Sequence, residues 1–93
     1  MISDEQVEKK FVIQNKLGLH ARAAASLVQL TSKFVSTISI EKNGQVVNGK
    51  SIMGVMMLAA AKGHEIIVTA EGEDSEDALE KINQLVENKF GEE

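Results

Sequence analysis

Ser36-Thr37-Ile38-Ser39-Ile40-Glu41-Lys42-Asn43-Gly44-Gln45-Val46-Val47-Asn48 is the stretch that decides the fold. Ile38 and Ile40 alternate with Thr37 and Ser39, so Ser36 to Glu41 predicts a half-buried strand. Asn43-Gly44 is a strong hairpin signal, because a type I′ turn needs positive φ at both central residues. Gln45 to Asn48 then returns as a short third strand. The rest of the chain is read outward from this hairpin.

Upstream, Val7 to Gln14 places Val7, Phe11 and Ile13 at odd positions with Glu8 and Lys10 between, a first strand. Asn15-Lys16-Leu17-Gly18 breaks it. Ala21 to Phe34 repeats apolar residues at helical spacing, with Ala21, Ala24, Ala25 and Val28 on one line and Leu27, Leu30 and Phe34 beside it. Downstream, Ser51 is placed to cap a helix running through Ile52, Val55, Met56 and Ala59, with Gly63 to end it. Glu65 to Glu71 is a fourth strand, presenting Ile66, Val68 and Ala70 on one face. Asp74 or Ser75 caps a last helix. Its buried stripe is Ala78, Leu79, Ile82, Leu85, Val86 and Phe90, and Glu76 and Asp77 suit its positive end. Gly91-Glu92-Glu93 reads as a frayed tail. The order is βαββαβα, and its economical packing is an α+β fold with one small antiparallel sheet and the helices on a single face.

The 93 residues make one domain, 1–93, and 43% hydrophobic residues suffice for a core. With no cysteine there is no disulfide framework and no thiolate chemistry. The net charge of -4 argues against nucleic acid and against anionic membrane surfaces. Met1-Ile2-Ser3-Asp4-Glu5-Gln6 lacks the basic start and apolar core of a signal peptide. The longest nearly apolar run, Ile52 to Ala61, is about half of the ~20 residues that cross a bilayer. A cytoplasmic protein without membrane insertion is expected.

The chemistry narrows by elimination. Two histidines and no cysteine give no metal-ligand spacing, so no metal and no cofactor is expected. Gly18 stands alone, which is no glycine-rich phosphate loop. His20 is different, because it sits where a turn hands over to the alanine-rich helix. Free N–H groups and the macrodipole make such a start a site for phosphate-like anions. The same dipole disfavours imidazolium, which favours a neutral, nucleophilic ring. Arg22, in the first turn, presents a guanidinium fork to the same anion. Together they outline a phosphoryl acceptor. His64, after Gly63, reads as a solvated loop residue.

Asn15-Lys16-Leu17-Gly18-Leu19-His20-Ala21-Arg22-Ala23-Ala24 closely resembles the active-site motif of the HPr family, the histidine phosphocarriers of the phosphoenolpyruvate-dependent phosphotransferase system. Asn48-Gly49-Lys50-Ser51-Ile52-Met53-Gly54-Val55-Met56-Met57-Leu58 resembles that family's regulatory-serine segment, and Ala70-Glu71-Gly72-Glu73-Asp74 is a third match. The resemblance covers nearly the whole chain. It implies an open-faced β-sandwich, a four-stranded antiparallel sheet covered by three helices. It implies that His20 takes a phosphoryl group on Nδ1 from phospho-enzyme I and passes it to enzyme IIA domains in sugar uptake, with Arg22 stabilising the group in transit. Such a protein is a phosphotransfer carrier with a phosphohistidine intermediate rather than a free-standing enzyme, and a monomer is expected. One departure stands out: the family usually has proline right after the arginine, and this chain has Ala23.

For Ser51 the resemblance adds phosphorylation by an HPr kinase/phosphorylase, on top of the capping role. Ile52, Met53 and Met56 follow it. Leu19, Ile52, Met53 and Met56 are the expected partner-binding residues: with Leu19, Met53 is expected to form an exposed apolar patch beside His20, and core packing is the alternative for Ile52 or Met56. Methionine-rich surfaces adapt to several partners. Two alternatives remain: a carrier of the nitrogen-related branch, or a regulatory binding module acting through phosphorylated Ser51. The order βαββαβ also describes ferredoxin-like modules. RNA binding is disfavoured by three phenylalanines, no tyrosine or tryptophan, and negative charge.

Overall fold

The computed structural model describes residues 6–92. The polar start read at Met1–Glu5 and the last residue of the tail, Glu93, lie outside the described residues. The described residues form β1 (Gln6–Val12), α1 (Ala21–Thr31), β2 (Thr37–Lys42), β3 (Gln45–Asn48), α2 (Ile52–Met57), β4 (Glu65–Glu71) and α3 (Ser75–Glu87), followed by a 3₁₀ turn at Lys89–Gly91. The strands lie in the order β1-β4-β2-β3, and every neighbouring pair is antiparallel. This is the expected open-faced α+β sandwich.

The register follows the alternation of the sequence. Ile40 lies opposite Val68 on one side and Val47 on the other, Ile38 opposite Ala70, and Phe11 opposite Ile66. Phe11, Ile38, Ile40, Ile66, Val68 and Ala70 thus line one face and are buried with Ala23, Ala24 and Leu27 of α1, Val55 of α2 and Ala78, Leu79, Ile82 and Val86 of α3. Asn43 and Gly44 take φ of 52° and 86°, the two positive values the hairpin turn requires. Lys9, on edge strand β1, donates to Asn83 Oδ1 on α3 at 3.2 Å. A charge carried toward the helix layer blunts an open edge against pairing with other chains.

Several boundaries differ from the expectation. Helix α1 ends at Thr31, not Phe34, because Lys33 N–H bonds Leu30 O and Phe34 N–H bonds Thr31 O, tightening the last turn to i−3 spacing. Its buried side is Ala23, Ala24, Leu27 and Thr31, whereas Ala21 is exposed. Helix α2 ends at Met57, well before Gly63. Ala59 takes φ 50°, the left-handed position after a helix end, and turns Ala60 toward the His20 loop. Gly63 serves a different bond, its N–H reaching Ile13 O at 2.8 Å while Ile13 N–H reaches His64 O.

Helix α3 starts without a side-chain cap. Asp74 occupies the cap position, but its carboxylate accepts from Val35 N–H at 2.9 Å, Ser36 N–H at 3.0 Å and the Ser36 hydroxyl. That fixes the segment before β2 instead. Phe90 is buried, though in the 3₁₀ turn rather than on α3. The tail is not frayed at Glu92, whose side chain is tied to the loop before α1.

Candidate functional site

The site begins with a loop that has little freedom. Gly18, at φ 68°, packs so closely that a Cβ there would lie 2.4 Å from Ala60 O. Leu19 N–H donates to the same carbonyl at 2.9 Å. Asn15 is fully buried and its side-chain amide donates to Gly18 O at 2.7 Å, while its Oδ1 has no partner among the described residues. These bonds deliver His20 to the cap position of α1, with extended backbone and its carbonyl accepting from Ala24 N–H at 2.8 Å.

Both ring nitrogens of His20 are engaged. Arg22 N–H donates to Nδ1 at 3.3 Å, so Nδ1 faces the first turn of the helix. Nε2 lies 2.6 Å from Glu92 Oε2. The same Glu92 oxygen accepts from the Asn15 amide at 2.9 Å. The His20 bond, then the Asn15 bond, hold the Glu92 carboxyl below the usual carboxylate range. His20 keeps 29% of its side chain exposed, which leaves it open to a partner surface. Arg22 is exposed and has no ion-pair partner among the described residues. A carbonyl-rich helix end would repel an anion, whereas this end offers the N–H groups of the first turn. Two surface depressions are lined by other residues, Lys10, Lys42 and His64 in one and Val46, Asn48 and Lys50 in the other. A partly exposed His20 ring beside an exposed Arg22 suits the site to transfer between surfaces.

Ser51 caps α2, its hydroxyl accepting from Gly54 N–H at 3.0 Å. It is not beside His20. The start of α1 touches the segment after α2 through Leu19 and Ala60, and the end of α1 touches the segment before α2, where the Thr31 hydroxyl donates to Gly49 O at 2.8 Å. The two helices thus run in opposite senses. Ser51 sits at the opposite end of this helix pair from His20.

The apolar patch differs from the expectation. Leu19 is 4% exposed and belongs to the core, because Gly18 and Leu19 are docked on Ala60. Leu17 is exposed in its place. Ile52 and Met56 are both exposed along with Met53, while Val55 turns inward. Met57 also faces solvent. His64 is exposed, and its Nδ1 accepts from Ala61 N–H. The sequence places Glu92 in a frayed tail and gives it no role, and no local signal marks it: its partners lie more than 70 positions away.

A family model described as the PTS HPr component phosphorylation site matches residues 7–88. Glu92 falls outside that match. The phosphocarrier protein HPr of Xylella fastidiosa (strain 9a5c) is 50% identical over 86 residues, 92% of this chain and 97% of that protein. The crystal structure of an HPr from Thermoanaerobacter tengcongensis superposes with a TM-score of 0.90 at 49% identity, covering 94% of this chain and 98% of that one. Crh, a catabolite-repression protein of Bacillus subtilis solved as a domain-swapped dimer, superposes with a TM-score of 0.72 at 44% identity, covering 89% and 95%. With the sheet order, the His20 helix start and these likenesses in agreement, this chain belongs to the HPr family of the phosphotransferase system.

Proposed function

We propose that this chain, as one domain of 93 residues, is a phosphoryl carrier that works through His20. The observation that supports this best is the direction of Nδ1: it faces the Arg22 N–H at the start of α1. A phosphoryl group on Nδ1 would lie against the N–H groups of the first turn, with the Arg22 guanidinium within its reach. The phosphate dianion is favoured there by the dipole and by charge-assisted hydrogen bonds. Because Arg22 is exposed and has no fixed partner among the described residues, it engages the group during transfer without trapping it. Positioning and charge are the main contributions a protein makes to phosphoryl transfer.

The donor is phospho-enzyme I and the acceptor an enzyme IIA domain. Leu17, Ile52, Met53, Met56 and Met57 give the docking surface, since all five expose apolar side chains. The proposed destination of the phosphoryl group is sugar uptake, with the nitrogen-related branch as the alternative. The working form is a cytoplasmic monomer. No described helix is long and apolar enough to cross a membrane. Ser51 is a second, regulatory phosphorylation site for an HPr kinase/phosphorylase. Phosphate there lies at the far end of α1 from His20 and adds charge beside Ile52 and Met53. It would act on docking rather than on the ring.

One mass experiment with two arms tests both sites. Phosphoenolpyruvate with enzyme I should add one acid-labile phosphoryl group, lost in His20→Ala. ATP with the kinase should add one acid-stable group, lost in Ser51→Ala. Labelling of His20→Ala by enzyme I would overturn the carrier reading.

A further inference from the structure

Glu92 lies outside every motif read from the sequence, yet it makes the shortest contact to the His20 ring, 2.6 Å. The segment that brings it there is unusual. Lys89, Phe90 and Gly91 take φ of 56°, 55° and 83°, three left-handed residues in succession. Buried Phe90 anchors them, and Glu92 N–H closes the turn on Lys89 O at 2.9 Å. Left-handed backbone is unfavourable for residues with a Cβ, so such a turn persists only where surrounding contacts hold it.

We propose that Glu92 is a positioning residue for His20: it holds the ring in the Nε2–H tautomer, leaves the Nδ1 lone pair to attack, and keeps the Nε2 proton in place throughout transfer. The proposal rests on the reading of His20 as the phosphoryl acceptor. An ionised carboxylate only accepts hydrogen bonds, so Nε2 must carry the proton. A backbone N–H only donates, so Nδ1 must present its lone pair to Arg22. The opposite tautomer would set a lone pair against the carboxylate and an N–H against an N–H. The two bonds select one tautomer from opposite sides of the ring. Asn15 holds the carboxylate in turn, and the lowered pKa of Glu92 keeps it ionised.

The transfer then balances without proton movement. The Nδ1 lone pair gives up its hydrogen bond from Arg22 N–H and forms the N–P bond as the donor's bond to phosphorus breaks and its electrons leave with the donor. The ring becomes a cation that retains its Nε2 proton against Glu92. In the outward step the acceptor's lone pair attacks phosphorus, the N–P electrons return to Nδ1, and the neutral Nε2–H ring is restored. Were the Nε2 proton lost in between, the leaving group would be an imidazolate, which departs far less readily.

The test compares wild type, Glu92→Gln and Glu92→Ala by ¹⁵N spectra of the His20 ring and by rapid-quench transfer from phospho-enzyme I and to an enzyme IIA. Wild type should show protonated Nε2 and an accepting Nδ1. Glu92→Gln keeps a neutral acceptor and should keep that signature with slower uptake from phospho-enzyme I, because the cationic phosphorylated ring loses its counter-charge. Glu92→Ala should show mixed tautomers and transfer about tenfold slower, the scale of one charge-assisted hydrogen bond. Wild-type ring signals and wild-type rates in Glu92→Ala would overturn the proposal. Failure of wild type itself to take a phosphoryl group would instead remove the carrier reading, and any role of Glu92 in transfer with it. The ring spectra report the tautomer in either case.

Discussion

Two residues make the seam on which His20 rests, and they carry opposite backbone costs. Gly18 is required: at φ 68° and with Ala60 O where a Cβ would go, no other residue fits. Ala59 is tolerated rather than required, since at φ 50° its methyl group meets a conformation that costs L-residues about 1–2 kcal/mol. Glycine removes that cost but loses more chain entropy on folding, about 0.5–1 kcal/mol. Ala59→Gly should therefore raise stability by about 0.5–1 kcal/mol in urea unfolding, with the Leu19–Ala60 bond intact. Ala23 fills the position where proline is usual. It is 1% exposed and packs as part of α1's buried side, so its side chain does core work whatever its N–H does.

At the scale of elements, what was legible depended on how local the cause was. The hairpin and β4 followed from residues within each element: positive φ at Asn43-Gly44, and alternation from Glu65 to Glu71. The placement of His20 and Arg22 at a helix start was legible because such a start is written in neighbouring residues. Helix ends were not. Gly63 drew the end of α2 forward because glycine is a common stop, but the chain had already turned at Ala59 to reach Leu19, a contact set by another element. Glu92 was wholly hidden, since a carboxylate bond across 72 positions leaves no periodic trace. The α1–α2 pairing depends on a similar distant bond, from the buried Thr31 hydroxyl to Gly49 O. Thr31→Val keeps the shape and removes the donor, leaving that carbonyl unsatisfied. It should cost about 1–3 kcal/mol by urea titration. Amide exchange should quicken around Gly49 and Ser51 more than around His20.

At the scale of the whole molecule, two carboxylates tie separate segments together. Asp74, at the start of α3, holds the segment before β2, and Glu92 holds the loop before α1. Asp74 is lowered chiefly by its Ser36 hydroxyl bond, and Glu92 chiefly by its His20 bond. A carboxyl with a lowered folded-state pKa binds its proton more weakly in the native chain than in the unfolded one. Its contribution is fully present above the unfolded-state value and is lost as pH falls through the folded one. The window therefore lies below about pH 4, the ordinary range of these groups. Urea midpoints should hold steady from neutral pH to about pH 5 and fall below about pH 4. The double variant Asp74→Asn, Glu92→Gln should begin lower and lose less across that window, because amides do not titrate. An acid profile identical in slope to wild type would mean that these two carboxylates do not couple folding to pH. Direction separates the two ties further. Glu92→Gln alone should flatten the profile while leaving amide exchange in the segment before β2 unchanged. Asp74→Asn should flatten it and speed exchange at Val35 and Ser36, the N–H groups it holds.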